Sequence, residues 1–113
     1  MKALRAILAL LSLGALAGCS TAGHYEFSTI FFGESLELRR DHTFSYSCGS
    51  DEIGNEYDAT GTWLSESPKR VVTSVVSGTG PATSCLAPVQ VWNLSPQGIT
   101  AELQGNLLKR KGL

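Results

Sequence analysis

Alternation of apolar and polar residues with a period of two is the feature that most constrains the fold of this chain. In Ser35–Arg39, Leu36 and Leu38 point to one face and the polar residues to the other, and the pattern returns in Thr43–Cys48 and Tyr57–Leu64. Side chains alternate between two faces in extended strands, so this period predicts β-structure. Beyond the first 18 residues the sequence has neither helical periodicity nor a capping box, and the predicted fold class is all-β.

Turn-forming residues divide the chain into about eight short strands. Short connections favour an antiparallel up-and-down meander, and closing such a meander into a barrel removes its exposed edges. An open sheet folded on itself is the alternative. The predicted strands are Tyr25–Phe32, Ser35–Arg39, Thr43–Cys48, Tyr57–Leu64, Arg70–Ser77, Val89–Leu94, Ile99–Leu103 and Asn106–Arg110.

An eight-stranded barrel has an interior only just wide enough for side chains or one small ligand. The apolar face of the alternating strands would fill it as a core, with a ligand site lined by aromatic residues as the alternative. The residues predicted to point inward are Leu36, Leu38, Phe44, Tyr46 and Trp63.

The first 18 residues predict an export signal. Lys2 and Arg5 precede an apolar run from 6 to 16, which is shorter than the roughly 20 residues that span a bilayer. Small residues then lead directly into Cys19, and the segment LAGC at 16–19 resembles the lipobox of bacterial lipoproteins. A plain signal peptide with a buried cysteine, or a short membrane helix, is the alternative.

The lipobox resemblance implies a membrane anchor on Cys19. Its thiol would receive a diacylglyceryl group, the chain would be cut before it, and the new amine would be acylated. Several acyl chains hold a protein essentially permanently, since each buried methylene contributes about 0.8 kcal/mol. In a Gram-negative host, Ser20 in place of aspartate implies the periplasmic face of the outer membrane. The expected organisation is a signal peptide at 1–18, a lipidated tether at 19–23 and a barrel domain at 24–113.

The short tether predicts where the barrel lies. Residues 20–23 reach roughly 14 Å at about 3.5 Å per residue, so the barrel must lie close to the bilayer. If the first strand leads away from the membrane, short turns fall at the near end, where the chain enters, and long loops at the far end. The near-end turns are Arg40–His42, Ser65–Lys69 and Ser95–Gly98, and the far-end loops are Gly49–Asn55 and Gly78–Pro88.

Cys48 and Cys85 remain once Cys19 carries lipid. Exported chains meet an oxidising compartment, in which two leftover cysteines usually pair, although two separate buried thiols are the alternative. The bridge would join the two far-end loops. Closing the intervening loop would contribute around 4 kcal/mol in the chain-entropy model.

Four acidic residues mark the far end as a candidate binding face. Loops on a rigid scaffold often carry function, and clustered carboxylates would favour a cationic protein as partner. A solvated acidic loop that keeps the chain soluble is the alternative. The four residues are Asp51, Glu52, Glu56 and Asp58.

The last predicted strand would end beside the first, which brings Lys109, Arg110 and Lys111 close to the membrane. Anionic headgroups attract such residues by about 1 kcal/mol each. A frayed, solvated terminus is the alternative.

Several chemistries lack a sequence signal. The chain has nine Lys and Arg against ten Asp and Glu, with no basic stripe, which argues against nucleic-acid binding. Neither His24 nor His42 has a metal-ligand spacing, and the segment DEIGNEYD at 51–58 lacks the ligand order of a calcium loop. No nucleophile elbow, phosphate loop or Cys-x-x-Cys pair occurs. The sequence predicts no metal, no cofactor and no enzyme.

The segment 36–63 resembles a pattern in small bacterial β-barrel lipoproteins of lipocalin-like type. That pattern is L-x-L-x-x-D-G-T-F-x-Y, followed after a loop by G-x-W. His42 replaces the usual turn glycine, which predicts a turn without positive φ. The resemblance covers about a third of the mature chain. It implies the fold and leaves the function open, because fold alone does not give function. The matching residues are Leu36, Leu38, Asp41, Thr43, Phe44, Tyr46, Gly61 and Trp63.

Three functions follow from this sequence. The first is a non-catalytic binding or structural module on the outer membrane. The second is an inhibitor of a cationic enzyme, because membrane-anchored lysozyme inhibitors are similar in size, lipidation, barrel form and disulfide use, although their Ser-Gly-x-x-Tyr segment has no convincing match here. The third is a carrier of a small apolar ligand, which would need a cavity behind Trp63.

Overall fold

Eight antiparallel strands pair in chain order, and the eighth pairs with the first to close a barrel. The computed structural model describes residues 21–50, 56–80, 85–102 and 105–111. The structure confirms the predicted all-β meander and excludes the open sheet. The strands are β1 (Gly23–Ser28), β2 (Phe32–Leu38), β3 (Thr43–Ser50), β4 (Glu56–Ser67), β5 (Arg70–Thr79), β6 (Val89–Ser95), β7 (Gly98–Ala101) and β8 (Leu107–Lys111).

The predicted signal segment, Cys19 and Ser20 lie outside the described residues. Within the ranges that the structure describes, no helix has the length and apolar character needed to cross a membrane.

The alternating face of the strands forms the core. All five residues predicted to point inward are buried, and they pack with aromatic and aliphatic side chains from the other strands. Full burial of such a side chain stabilises the fold by roughly 1.5–3 kcal/mol. The inward residues outside the predicted set include Tyr25, Val71, Trp92, Ile99 and Leu108.

The turn between β1 and β2 corrects the prediction of one strand at Tyr25–Phe32. The Thr29 hydroxyl oxygen accepts hydrogen bonds from the backbone N–H of Phe31 at 3.2 Å and of Phe32 at 3.1 Å. Such side-chain bonds stabilise a turn locally. Residues 29–31 therefore form a turn at the far end, and the aromatic and β-branched character of this segment was misleading.

The turn between β2 and β3 contradicts the expectation for His42, which has a φ of 67°. Its backbone N–H donates to the Arg39 carbonyl at 3.1 Å, and its ring lies 4.9 Å from the Trp63 ring between centroids. Its Nδ1 lies 3.1 Å from the Trp63 carbonyl oxygen. These contacts offset the cost of a left-handed backbone. A histidine therefore occupies the turn position at which the lipoprotein pattern described above has glycine. In the same turn, hydrogen bonds from the Thr43 side chain and backbone lower the pKa of Asp41.

Substitution of His42 should separate its backbone strain from its side-chain contacts. His42→Ala removes the contacts and keeps the strain, whereas His42→Gly removes both. We expect the alanine variant to be less stable than the glycine variant by about 1 kcal/mol, as measured by urea denaturation. Equal stability of the two variants would mean that position 42 carries no strain.

Candidate functional site

A cleft of about 440 Å³ lies on the outer surface of the barrel, across β1 to β4 towards the far end. Two glycines, Gly33 and Gly49, form part of its floor and face each other across the β2–β3 pair. A methyl group added at Gly33 would meet no atom within 4 Å. The missing side chains therefore open a depression in the sheet surface, which we call the acidic groove.

The next row of the groove is polar. Ser35 and Ser47 are cross-strand partners whose hydroxyl oxygens lie 3.3 Å apart. Strand register places a carboxylate at each end of this row, because Glu26 of β1 pairs with Ser35 and Asp58 of β4 pairs with Ser47. Glu56 follows on β4, opposite Gly49. Carboxylates from two strands thus flank a floor of glycine and serine.

Two of the four predicted acidic residues belong to this groove. Glu56 and Asp58 are exposed and form no ion pair with another described residue. Asp51 and Glu52, like most of the segment considered for calcium, lie outside the described residues. Glu26 is different, because its carboxylate lies 2.7 Å from His24 Nε2 and 4.0 Å from Lys111 Nζ. The uncompensated charge is therefore concentrated on β4.

A buried polar network lies beneath the groove. Glu34 is only 4% exposed, and the Tyr46 hydroxyl donates to its Oε2 at 2.7 Å. Asn106 Nδ2 donates to the other carboxylate oxygen at 3.2 Å. Burial, and then the Glu34 carboxylate, raise the pKa of Tyr46, so its hydroxyl remains a donor. Its oxygen also lies 3.2 Å from the Cys85 carbonyl, which ties the network to the chain that covers the far end.

The predicted disulfide between Cys48 and Cys85 is present, with a Cα–Cα distance of 6.5 Å. Cys48 lies on β3, opposite Glu34 of β2, and Leu86 packs into the core one residue after Cys85. The bond therefore attaches the segment before β6 to the far end of the barrel. Cys48 and Glu34 both line the groove, so this attachment and the buried network are connected to its floor.

An apolar turn lies beside the groove, and the sequence prediction missed it. Ile30 is 82% exposed and Phe31 is 68% exposed, at the tip of the turn between β1 and β2. Ser28, which precedes the turn, pairs with Gly33 of the groove floor. The Ser-Thr pair at 28–29, followed by Gly33, was the available signal for this turn. Large apolar side chains exposed together at a tip are typical of an interaction surface.

The basic segment at the end of the chain lies at the near end, as predicted. Lys109 and Lys111 are exposed on β8, which pairs with β1. Arg110 differs, because its Nη2 donates to the Ala22 carbonyl at 2.9 Å and its guanidinium lies 5.9 Å from the Tyr25 ring centroid. Burial raises the pKa of Tyr25, whose hydroxyl donates to the Thr21 carbonyl. These bonds hold the entering chain against the barrel.

No family model, curated protein or solved structure matches the chain. Among the described residues, His, Cys, Asp and Glu side chains nowhere gather in threes that could hold a metal ion.

Several groove residues escaped prediction because strand register brings them together. Glu26, Gly33 and Gly49 lie on three different strands, and each belongs to an ordinary alternating strand. Alternation places Glu26 on the outer face, but only the pairing of β1 with β2 brings it to the serine row.

Proposed function

We propose that this chain is a lipoprotein held by Cys19 on the periplasmic face of the outer membrane, and a non-catalytic module that binds a cationic protein in the acidic groove. One observation carries the binding proposal. Glu56 and Asp58 are exposed at the far end without a basic partner among the described residues, beside a groove open enough to admit a partner's side chain. An uncompensated negative surface attracts and orients a cationic partner.

The anchor is supported by the lipobox and by the position of the first described residues. Thr21 is buried, and the carbonyl groups of Thr21 and Ala22 accept hydrogen bonds from Tyr25 and Arg110. Only Ser20 then separates Cys19 from residues fixed on the barrel. This is a shorter tether than the sequence prediction of residues 20–23, and it keeps the barrel at the bilayer. The disulfide is consistent with an exported chain.

Binding fits the contacts of the groove better than catalysis does. Ser35 and Ser47 contact each other, and the described contacts of His24 and His42 are with Glu26 and Trp63. A serine nucleophile requires a base within hydrogen-bond reach, and these contacts do not supply one. The exposed apolar turn beside the groove adds area suited to a protein partner.

Neutralising the groove carboxylates should weaken capture of the partner. In the double variant Glu56→Gln and Asp58→Asn, we expect affinity to fall about tenfold, and its salt dependence to decrease, because long-range attraction is lost. The lipidated protein would be immobilised, and the amount captured from its own envelope extract would be measured against salt concentration.

The matched control is Glu66→Gln with Glu102→Gln. It changes the net charge by the same amount at two exposed carboxylates that pair with Arg70. Capture by this control should equal that of the unmodified protein. If the groove variant and the control retain equal capture at every salt concentration, the acidic groove is not the binding site.

Inhibition of a cationic enzyme is the second candidate, because the same negative surface would attract lysozyme. Lysozyme activity would be assayed with the unmodified protein, the groove variant and the control. Inhibition that is lost only in the groove variant would identify lysozyme as a partner. If the unmodified protein does not inhibit lysozyme, the inhibitor function is excluded, but binding of another cationic protein is not. The inward side chains around Trp63 are buried in the core, so no observation favours an apolar ligand carrier.

A further inference from the structure

The basic residues of the barrel are confined to its near end, where they outnumber the acidic residues Glu37, Asp41, Glu66 and Glu102. The chain has nine Lys and Arg, and apart from Lys2 and Arg5 in the leader every one lies at the near end. The far end carries Glu34, Glu56 and Asp58 and has no Lys or Arg in its sequence. The near-end basic residues are Arg39, Arg40, Lys69, Arg70, Lys109, Arg110 and Lys111.

Four of these residues are exposed and surround the near end, and we call them the near-end cations. Arg40 lies in the turn after β2, Lys69 in the turn after β4, and Lys109 and Lys111 on β8. The first three form no ion pair with another described residue, and Lys111 Nζ lies 4.0 Å from the nearest carboxylate oxygen.

The other basic side chains of this end are engaged. Arg39 lies 3.2 Å from a Glu37 oxygen, and Arg70 lies 3.4 Å from a Glu102 oxygen. Arg110 bonds to the Ala22 carbonyl. Arg40, Lys69 and Lys109 are thus left to meet a charge outside the molecule, and Lys111, whose contact with Glu26 is longer than those of Arg39 and Arg70, completes the set.

The chain enters the barrel among these cations. Thr21 is buried at the near end, two residues after Cys19, so the two Cα atoms are separated by at most about 7 Å. A lipid on Cys19 would bring the near-end cations to the depth of the phosphate groups. An anchor alone fixes this distance but leaves the tilt of the barrel free.

We infer that the near-end cations bind the phosphate groups of anionic phospholipids and hold the barrel upright on the bilayer. This inference rests on the proposed anchor and adds the orientation. The anionic surface attracts the near-end cations and repels Glu56 and Asp58 when the barrel tilts towards it, so both forces favour the upright orientation. Each acts on charges within about 10 Å of the surface. The acidic groove then faces away from the membrane, towards a partner.

Hydrogen exchange of the lipidated protein tests the orientation. The protein would be placed in nanodiscs of phosphatidylcholine alone, or with an equal part of phosphatidylglycerol. In the anionic discs we expect the backbone amides of residues 40–42, 69 and 97 to exchange at least about fivefold more slowly, since one exposed cation near such a surface strengthens binding by roughly that factor. Amides at 29–31, at the far end, should not change. High salt should abolish the difference.

The variant Arg40→Gln, Lys69→Gln, Lys109→Gln and Lys111→Gln should lose this protection, while its strand amides report that it is folded. The control Arg39→Gln, which removes an ion-paired cation of the same end, should keep it. Equal exchange in both lipids, or protection at 29–31, would overturn the inference.

The intact mass of the same sample reports the anchor separately. A sample without lipid would refute the proposed anchor. Binding of the near-end cations to phospholipid would then be measured by sedimentation of that protein with vesicles of each of the two lipid compositions. Sedimentation with the anionic vesicles but not with the neutral ones would support phosphate binding by the near-end cations. Sedimentation with neither kind of vesicle would refute it.

Discussion

Replacing Cys48 and Cys85 together by alanine is expected to lower the free energy of unfolding by about 4 kcal/mol. The bond closes a loop with a sequence separation of 37 residues, and its loss restores conformational freedom to the unfolded chain. A domain of this size has a total stability of the order of 5–15 kcal/mol, so the loss is a large share. Urea denaturation of the variant and the unmodified protein measures it.

The disulfide variant should also weaken the far end locally. Tyr46 contacts both Glu34 and the Cys85 carbonyl, so release of the covering segment removes one of the contacts of the buried network. We expect the partner affinity of the groove to fall with stability. Reductant should destabilise the unmodified protein and leave the double variant unchanged, which is the control. A loss of stability below about 1 kcal/mol would contradict this role of the bond.

Gly61→Ala is expected to destabilise the barrel by about 3 kcal/mol, at the upper end of the usual cost of overpacking. A methyl group at this position would lie 1.9 Å from the Ser74 carbonyl oxygen and 2.8 Å from Phe44 Cε1. The carbonyl belongs to the backbone of β5, and the β4–β5 register shifts between Thr60 and Gly61. The two strands can accept the methyl group only by moving apart.

Gly33→Ala is the matched control for Gly61→Ala. Both substitutions add one methyl group to a strand, but the methyl at Gly33 would meet no atom within 4 Å. We expect its stability to stay within about 0.5 kcal/mol of the unmodified protein, because the added methyl group disturbs no packed atom. Thermal and urea denaturation of the two variants would compare them directly. Equal tolerance of both would contradict the close approach of β4 and β5.

The fold could be predicted because its determinants are local in the sequence. Alternation at Leu36, Leu38 and Phe44 sets which face is buried, and a one-residue change of register would expose that whole face. The pairing of Cys48 with Cys85 was predicted from the expected export of the chain and the expected lipid on Cys19, and the structure confirms the pairing.

Two local features were wrong in the prediction, for different physical reasons. The β-branched and aromatic residues Ile30 and Phe31 indicated a strand, but the Thr29 hydroxyl stabilises a turn there. A histidine at position 42 indicated negative φ, but contacts with Trp63 offset the cost of positive φ. In both cases a specific side-chain contact outweighs the general preference of the residue type.

The acidic groove could be predicted only in part, because it is formed across strands. Glu56 and Asp58 were visible as local acidic residues, whereas Gly33, Gly49 and Glu26 join them only through register. The near-end cations could likewise be predicted only in part. Lys109 and Lys111 were recognised as a cluster, but the barrel topology adds Arg40 and Lys69 from distant turns.

The intact mass of the native protein, isolated from its own envelope, tests the central claim that this barrel is anchored by lipid at Cys19. We expect a chain of residues 19–113 that carries one diacylglyceryl group and one further acyl group, with Cys48 and Cys85 oxidised. A free thiol on Cys19, or a chain that still begins at Met1, would contradict it.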